Sequence, residues 1–181
     1  MASFYQTLTS VGQRIVPRHV LFKYAFNFSP MYRRTTARIT SMSEDLHRAS
    51  IRLPISWRNR NYVGSIFGGS LYSAADPLFM VQLINILDSE YVVWDKAGEI
   101  RFKAPAREDL VADFVYTPEE VAAIRAAADE RGEHVFEKTV HLTDVRGERT
   151  YCEVSKTLYV ATKAFYKEKQ ARRRRRAPSS G

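Results

Sequence analysis

Two adjacent glycines and one carboxylate are the residues of this chain best placed to do chemistry. Gly68 and Gly69 open an apolar run, Ser70-Leu-Tyr-Ser-Ala-Ala, that ends on Asp76. A glycine pair lets the backbone turn tightly and brings bare N–H groups close to a ligand. Where a helix starts at such a pair, its first amides lack partners and lie at the positive end of the macrodipole, which favours negative charge. Asp76 follows Gly69 by seven residues, about two turns and roughly 10 Å along the same helix face. Oxyanion donors and a carboxylate on one face are the parts of an acyl-transfer site.

The elements around this motif follow from its flanks. A strand-like approach, Asn61 to Phe67, leads into the glycines, and Ser70 to Leu87 is apolar enough all round to be one long buried helix. Pro77 inside it is expected to kink the helix or remove one hydrogen bond. Before it, Ala49, Ile51, Leu53 and Ile55 alternate as a strand; after it come strand candidates at 91–103, 109–116, 134–144 and 150–161. Val145-Arg-Gly-Glu makes the turn between the last two. Thr117-Pro-Glu-Glu supplies an N-cap, a proline at the first helical position and a glutamate three residues on, so a surface helix runs from there to Gly132. The chain is therefore expected to be α+β, one long helix against about five mostly antiparallel strands. That is the outline of a hotdog fold, in which the sheet wraps the helix.

The net charge of +8 divides unevenly along the 181 residues. Residues 1–60 hold ten Arg or Lys and two acids, residues 61–161 ten basic and seventeen acidic residues, and residues 162–181 eight basic residues and Glu168. An acidic body between basic ends does not match a nucleic-acid-binding surface, which needs its cations on the folded domain. The first 43 residues contain no acid, as a transit peptide would, but Leu21, Phe22, Ala25 and Phe26 recur at helical spacing after Pro17. The expected division is a helical N-terminal extension over 1–34, a catalytic domain over 35–161 and a basic, disordered tail over 162–181. Contact of Arg172–Arg176 with anionic lipid is a secondary reading of that tail.

Cys152 is the only cysteine, which excludes a disulfide framework and fits a reducing, cytoplasmic compartment. The four histidines show no zinc-site spacing, and neither a phosphate loop nor a dinucleotide fingerprint is present. No cofactor or metal is expected. Asp76 also admits a structural reading, as a helix acid paired with a basic residue, and Asn61 is nearly as well explained as a turn residue. Trp94, Ile100 and Phe102 read as core. Arg101 and Lys103 read as solvated strand charges, with a phosphate-bearing ligand as the alternative.

Phe67-Gly-Gly-Ser-Leu-Tyr-Ser-Ala-Ala-Asp76 resembles the His-Gly-Gly-x-Leu-Phe-x-Leu-Ala-Asp segment of phenylacetyl-CoA-type hotdog thioesterases, and Asn61 matches the Asn that precedes it. Tyr91-Val-Val-Trp-Asp-Lys-Ala-Gly-Glu-Ile-Arg-Phe-Lys-Ala-Pro is similar to the following strand of uncharacterised thioesterase-like hotdog proteins. The resemblance implies hydrolysis of acyl-CoA or another acyl thioester. It gives Gly69 the carbonyl-polarising amide, Gly68 the turn, Asp76 the activation of water or direct attack, and Asn61 the orientation of water or carbonyl. Phe67, Tyr72 and Ser73 then fall beside the substrate. Phe67 replaces the family's His and Pro77 follows Asp76, two departures from the pattern. Because ~10 Å separates Gly69 from Asp76 on one helix, both can serve one thioester only if two helices meet across a two-fold axis. A homodimer or homotetramer is implied. The alternative function is a non-catalytic hotdog module for acyl binding or assembly. Hydratase or dehydratase chemistry stands third, because Phe67 does not supply the His it needs.

Overall fold

The structure, a computed structural model, describes residues 16–87 and 89–176. Six antiparallel strands form one sheet: β1 (Arg38–Met42), β2 (Arg48–Leu53), β3 (Tyr91–Phe102), β4 (Leu110–Val115), β5 (Glu133–Asp144) and β6 (Thr150–Thr162). Their order across the sheet is β1-β2-β4-β5-β6-β3. Five of these match the strands expected from alternation. The sixth, β1, was not among them: in Arg-Ile-Thr-Ser-Met only Ile39 and Met42 are buried. A register shift between Ile39 and Ser41 breaks the period of two on which strand recognition depends.

Among the described residues two helices precede the sheet, α1 (Arg18–Phe28) and α2 (Pro30–Arg33). Pro30 ends the first and begins the second, where Ser29 Oγ accepts the Tyr32 N–H at 3.1 Å. Phe22 and Tyr32 belong to the one buried cluster of the fold, so the N-terminal segment is packed against the body. α1 also covers the outer edge of β1. Lys23 Nζ donates to Thr40 O at 2.6 Å, and the Asn27 amide exchanges two hydrogen bonds with Ile39, at 2.8 and 2.9 Å. No such cover borders β3 among the described residues.

The single long helix expected over 70–87 is two helices, α3 (Gly68–Ala75) and α4 (Leu78–Ile86), separated by Asp76 and Pro77. Pro77 has no N–H, so one rung of the helix is lost there. Both residues keep right-handed helical dihedrals, and Val81 N–H resumes the ladder on Pro77 O at 3.0 Å. Leu71, Ala74, Ala75, Leu78, Phe79 and Leu83 are buried against the sheet. Phe79 packs edge-on to Phe114 and Tyr116, with centroids 4.9 and 5.7 Å away. Two buried hydroxyls take carbonyls near the break: Tyr32 donates to Ala74 O at 3.1 Å and Tyr116 to Phe79 O at 3.2 Å.

α5 (Pro118–Arg131) has the expected capping box, Thr117 with Glu120, and ends on Gly132 in the left-handed region. The chain after β6 departs from expectation. Lys163–Arg176, read as part of a disordered tail, is a helix, α6, and Lys169 on it is ion-paired with Glu133. Residues 1–15 and 177–181 lie outside the described residues.

Candidate functional site

The approach to the glycines is a loop, not the strand the sequence led us to expect. Arg60 and Ile66 form one isolated bridge, and the turn between them is held by Asn61. Asn61 Oδ1 accepts the Val63 and Ser65 N–H groups at 3.1 and 3.0 Å, and its Nδ2 donates to Ser65 Oγ at 2.9 Å. These are the hydrogen bonds of an Asx turn, and they occupy both ends of the side chain. The buried amide beside it is Asn59, which the sequence did not single out. Its side chain accepts from Ser56 N–H at 2.8 Å and donates to Pro54 O and Thr36 Oγ1, both at 2.8 Å. Its carbonyl accepts the Phe67 N–H at 2.7 Å, which fixes the residue at which α3 begins.

Phe67 is the N-cap of α3 and gives no side-chain cap, while its carbonyl accepts from Ser70 and Leu71. The amides of Gly68 and Gly69, one residue before those donors, are therefore the uncapped start of an eight-residue helix. Two rings flank them. A Cβ on Gly69 would lie 2.3 Å from Phe67 Cε1, and one on Gly68 would lie 2.8 Å from Phe102 Cζ. Phe67 and Phe102 are each 58% exposed, so they form an apolar wall open to a ligand. Phe102 is thus not the core residue its strand position predicted. Ser73 Oγ donates to Gly69 O at 2.7 Å, a local helix bond.

At the far end of α3, Asp76 is ion-paired with Lys156 of β6, which also lies 3.0 Å from Asp95 of β3. The lysine side chain is 4% exposed and that of Asp76 42%, so a buried cation aims a carboxylate that solvent still reaches. Tyr72 Oη is 3.5 Å from Lys156 Nζ, one helical turn before Asp76 on the same face. The partner that the structural reading of Asp76 called for is therefore present.

The sheet builds this cluster through an irregularity. Gly98 is the cross-strand partner of Lys156, and Asp95 that of Leu158, with a shift in register between Asp95 and Ala97. Without the bulge, positions 95 and 98 would face opposite sides of the sheet. With it, Asp95 reaches Lys156 on the helix side. Gly98 leaves the room the group needs, since a Cβ there would lie 2.1 Å from Tyr72 Oη and 3.3 Å from Lys156 Cδ.

Burial works against the Lys156 charge, but hydrogen bonds to Asp76 and Asp95 and their negative charges outweigh it and hold the ammonium above the usual lysine range. Burial raises the Asp95 carboxyl, opposed by Lys156 and reinforced by Asp76. Its Oδ1 is buried without a hydrogen-bond partner among the described residues. Burial and the Asp76 charge likewise raise the Tyr72 hydroxyl. At neutral pH Tyr72 is a donor. Cys152 is fully buried, which pushes its thiol up to about 12; it is not a nucleophile in this fold. Arg101 and Lys103 are paired with Glu99 and Glu153.

Comparison with known structures places the architecture among thioesterase-like hotdog proteins. PA5026 of Pseudomonas aeruginosa, described as a protein of unknown function and probable thioesterase, superposes with a TM-score of 0.72 at 21% identity, over 79% of this chain and 95% of that one. The thioesterase HI1161 of Haemophilus influenzae gives 0.58 at 14% identity over 80% and 90%. A mutant form of the thioesterase PA1618 of Pseudomonas aeruginosa gives 0.58 at 16% over 82% and 97%. At these identities the likeness establishes the hotdog fold, with six strands rather than about five and a central helix broken once. No curated protein matches the chain. The sequence profile described as "Domain of unknown function (DUF4442)" matches residues 18–160, most of the chain and all of the cluster just described. This protein belongs to the DUF4442 family.

Proposed function

We infer that this protein hydrolyses acyl thioesters. The observation that carries the reading is α3 itself, with uncapped glycine amides beside an aromatic wall at one end and a cation-aimed carboxylate at the other. In the reaction, Asp76 takes a proton from water as its oxygen attacks the thioester carbonyl. The Gly69 amide, positioned by the Gly68 turn, stabilises the resulting oxyanion. Collapse breaks the C–S bond, leaving the acid, and the thiolate takes up a proton. Tyr72 and Lys156 hold the Asp76 carboxylate in place, Phe67 and Phe102 pack on the acyl group, and Asn61 shapes the loop that delivers Phe67.

Gly69 and Asp76 stand at opposite ends of α3, about 10 Å apart, so one reacting carbonyl needs them from two chains. β3 supplies the means of pairing. It is a twelve-residue edge strand with a single neighbour among the described residues, and Trp94 on it is 52% exposed. A long uncovered edge is a template for another strand, and a second copy of this chain is the occupant proposed here.

A second reading, a non-catalytic acyl-binding or assembly module, is favoured by one observation: the Asp76 carboxylate already has an ion-pair partner in Lys156, as a structural acid would. A thiol-release assay over short, long and aromatic acyl-CoAs separates the two. Hydrolysis is expected, and Asp76→Asn should lower its rate by about 10²- to 10⁴-fold in a protein that still folds, since Asp95 remains as a counter-ion for Lys156. Binding of acyl-CoA without thiol release in the native protein would leave only the module.

A further inference from the structure

A cavity of about 430 Å3 is walled by Pro30, Arg33, Arg34, Thr36, Arg38 and Arg58. Four guanidinium groups around one space repel each other. Elsewhere the protein balances such charges: Arg52, Arg101 and Arg172 each sit on a carboxylate. Among the described residues none of the four cavity arginines has an acidic partner. Nor is there any Asp or Glu before Glu44, so the undescribed N-terminal side chains contain no acid to supply one. Among the described residues this charge is uncompensated.

The backbone is strained to build this wall. Thr36 has φ of +68°, a left-handed conformation that is unfavourable for a β-branched residue. It is held there by the Asn59 Nδ2 bond to its hydroxyl and by its own N–H on Arg33 O at 3.3 Å. The same Asn59 accepts the Phe67 N–H, so one buried residue joins the arginine wall to the residue that starts the proposed oxyanion helix. At the rim, the Arg58 guanidinium lies 5.3 Å from the centroid of the Trp57 ring, and that ring is open to solvent. It offers a flat face to a heterocyclic base.

We propose that this cavity binds the 3′-phosphate and pyrophosphate of coenzyme A, with the pantetheine arm running past Asn59 to Gly68 and Gly69. Guanidinium forks take phosphate oxygens in pairs, and several of them match a ligand with more than one phosphate. The proposal rests on the acyl-thioester reading and names the carrier within it.

Calorimetry with CoA itself tests the cavity without requiring turnover. CoA should bind the native protein more tightly than dephospho-CoA does. Arg33→Ala/Arg58→Ala should weaken CoA by about tenfold or more, since it removes charge-assisted hydrogen bonds to phosphate oxygens. Arg101→Ala, which removes one charge outside the cavity, should not. Arg34→Glu is the second variant, for the case in which the double change melts early, and it should weaken CoA further still. Equal CoA affinity in the native protein and in a folded cavity variant would overturn the proposal. So would adsorption to phosphatidylserine vesicles that needs these arginines and is not displaced by CoA. Arginine-dependent CoA binding without thiol release would instead sink the hydrolase reading and leave the cavity assigned.

Discussion

Lys156 decides what Asp76 can be. One ammonium is shared between two carboxylates, and its own side chain is almost wholly enclosed. Replacing it by Met would leave Asp76 and Asp95 facing each other without a counter-ion. Breaking a buried pair in this way costs about 3–5 kcal/mol; partial exposure of Asp76 puts the expectation near the lower end. Thermal melts of Lys156→Met at neutral pH measure it, and a drop of much less than about 1 kcal/mol would mean the cluster is not a stabilising one. The pH dependence has a fixed sign. The folded pKa of Lys156 is raised, so its stabilisation is complete below the ordinary lysine value of about 10.4 and is lost as pH rises through the higher folded value. Native protein should therefore lose melting temperature above about pH 10 more steeply than Lys156→Met does.

The elements place these residues, and most of the elements were legible. Strict alternation exposed β2, β4, β5 and β6, and Thr117 with Glu120 marked the start of α5 because local hydrogen bonding decides such a cap. Pro77 was legible too, as a missing N–H. The cluster was not. Lys156 sits eighty positions from Asp76 and shares the inward face of β6 with Val154 and Leu158, where alternation predicts another apolar residue. What makes room for it there is the space over Gly98, and what brings Asp95 beside it is the β3 bulge. Neither a bulge nor a gap over a glycine has a sequence period. Gly98→Ala tests that account. The new methyl group would collide with Tyr72 Oη at 2.1 Å, and both Tyr72 and Lys156 would have to move. Overpacking of this kind costs about 1–3 kcal/mol, and turnover should fall as well because Asp76 loses its alignment. Gly69→Val offers the contrast. Its clash is with the Phe67 ring, which is exposed and free to swing aside, so stability should change by less than about 1 kcal/mol. An equal loss of melting temperature in the two variants would contradict this assignment of room to Gly98.

At the scale of the whole molecule, the two edges of the sheet differ. β1 is short, and donors from α1 occupy its outer carbonyls; β3 is long and among the described residues has only β6 beside it. A two-fold pairing through β3 makes the interface self-complementary, and it makes a strong demand on catalysis. If each site takes Gly69 from one chain and Asp76 from the other, two separately inactive proteins should rescue each other. In a mixed dimer of Asp76→Asn and Gly69→Val chains, where the valine side chain bars the thioester carbonyl from the residue 69 amide, one site receives both native residues and the other receives both defects. Random assortment puts half the dimers in the mixed class, each with one working site of two. Activity should therefore return to about one quarter of the native value. The measurement is thiol release after the two variants, carrying different tags, have been denatured together and refolded, with co-purification of the tags showing that exchange took place. Rescue of that size requires a site built from two chains. Exchange without rescue would place Gly69 and Asp76 in separate roles, and the shared-site mechanism would fall even if the protein proved to be a dimer.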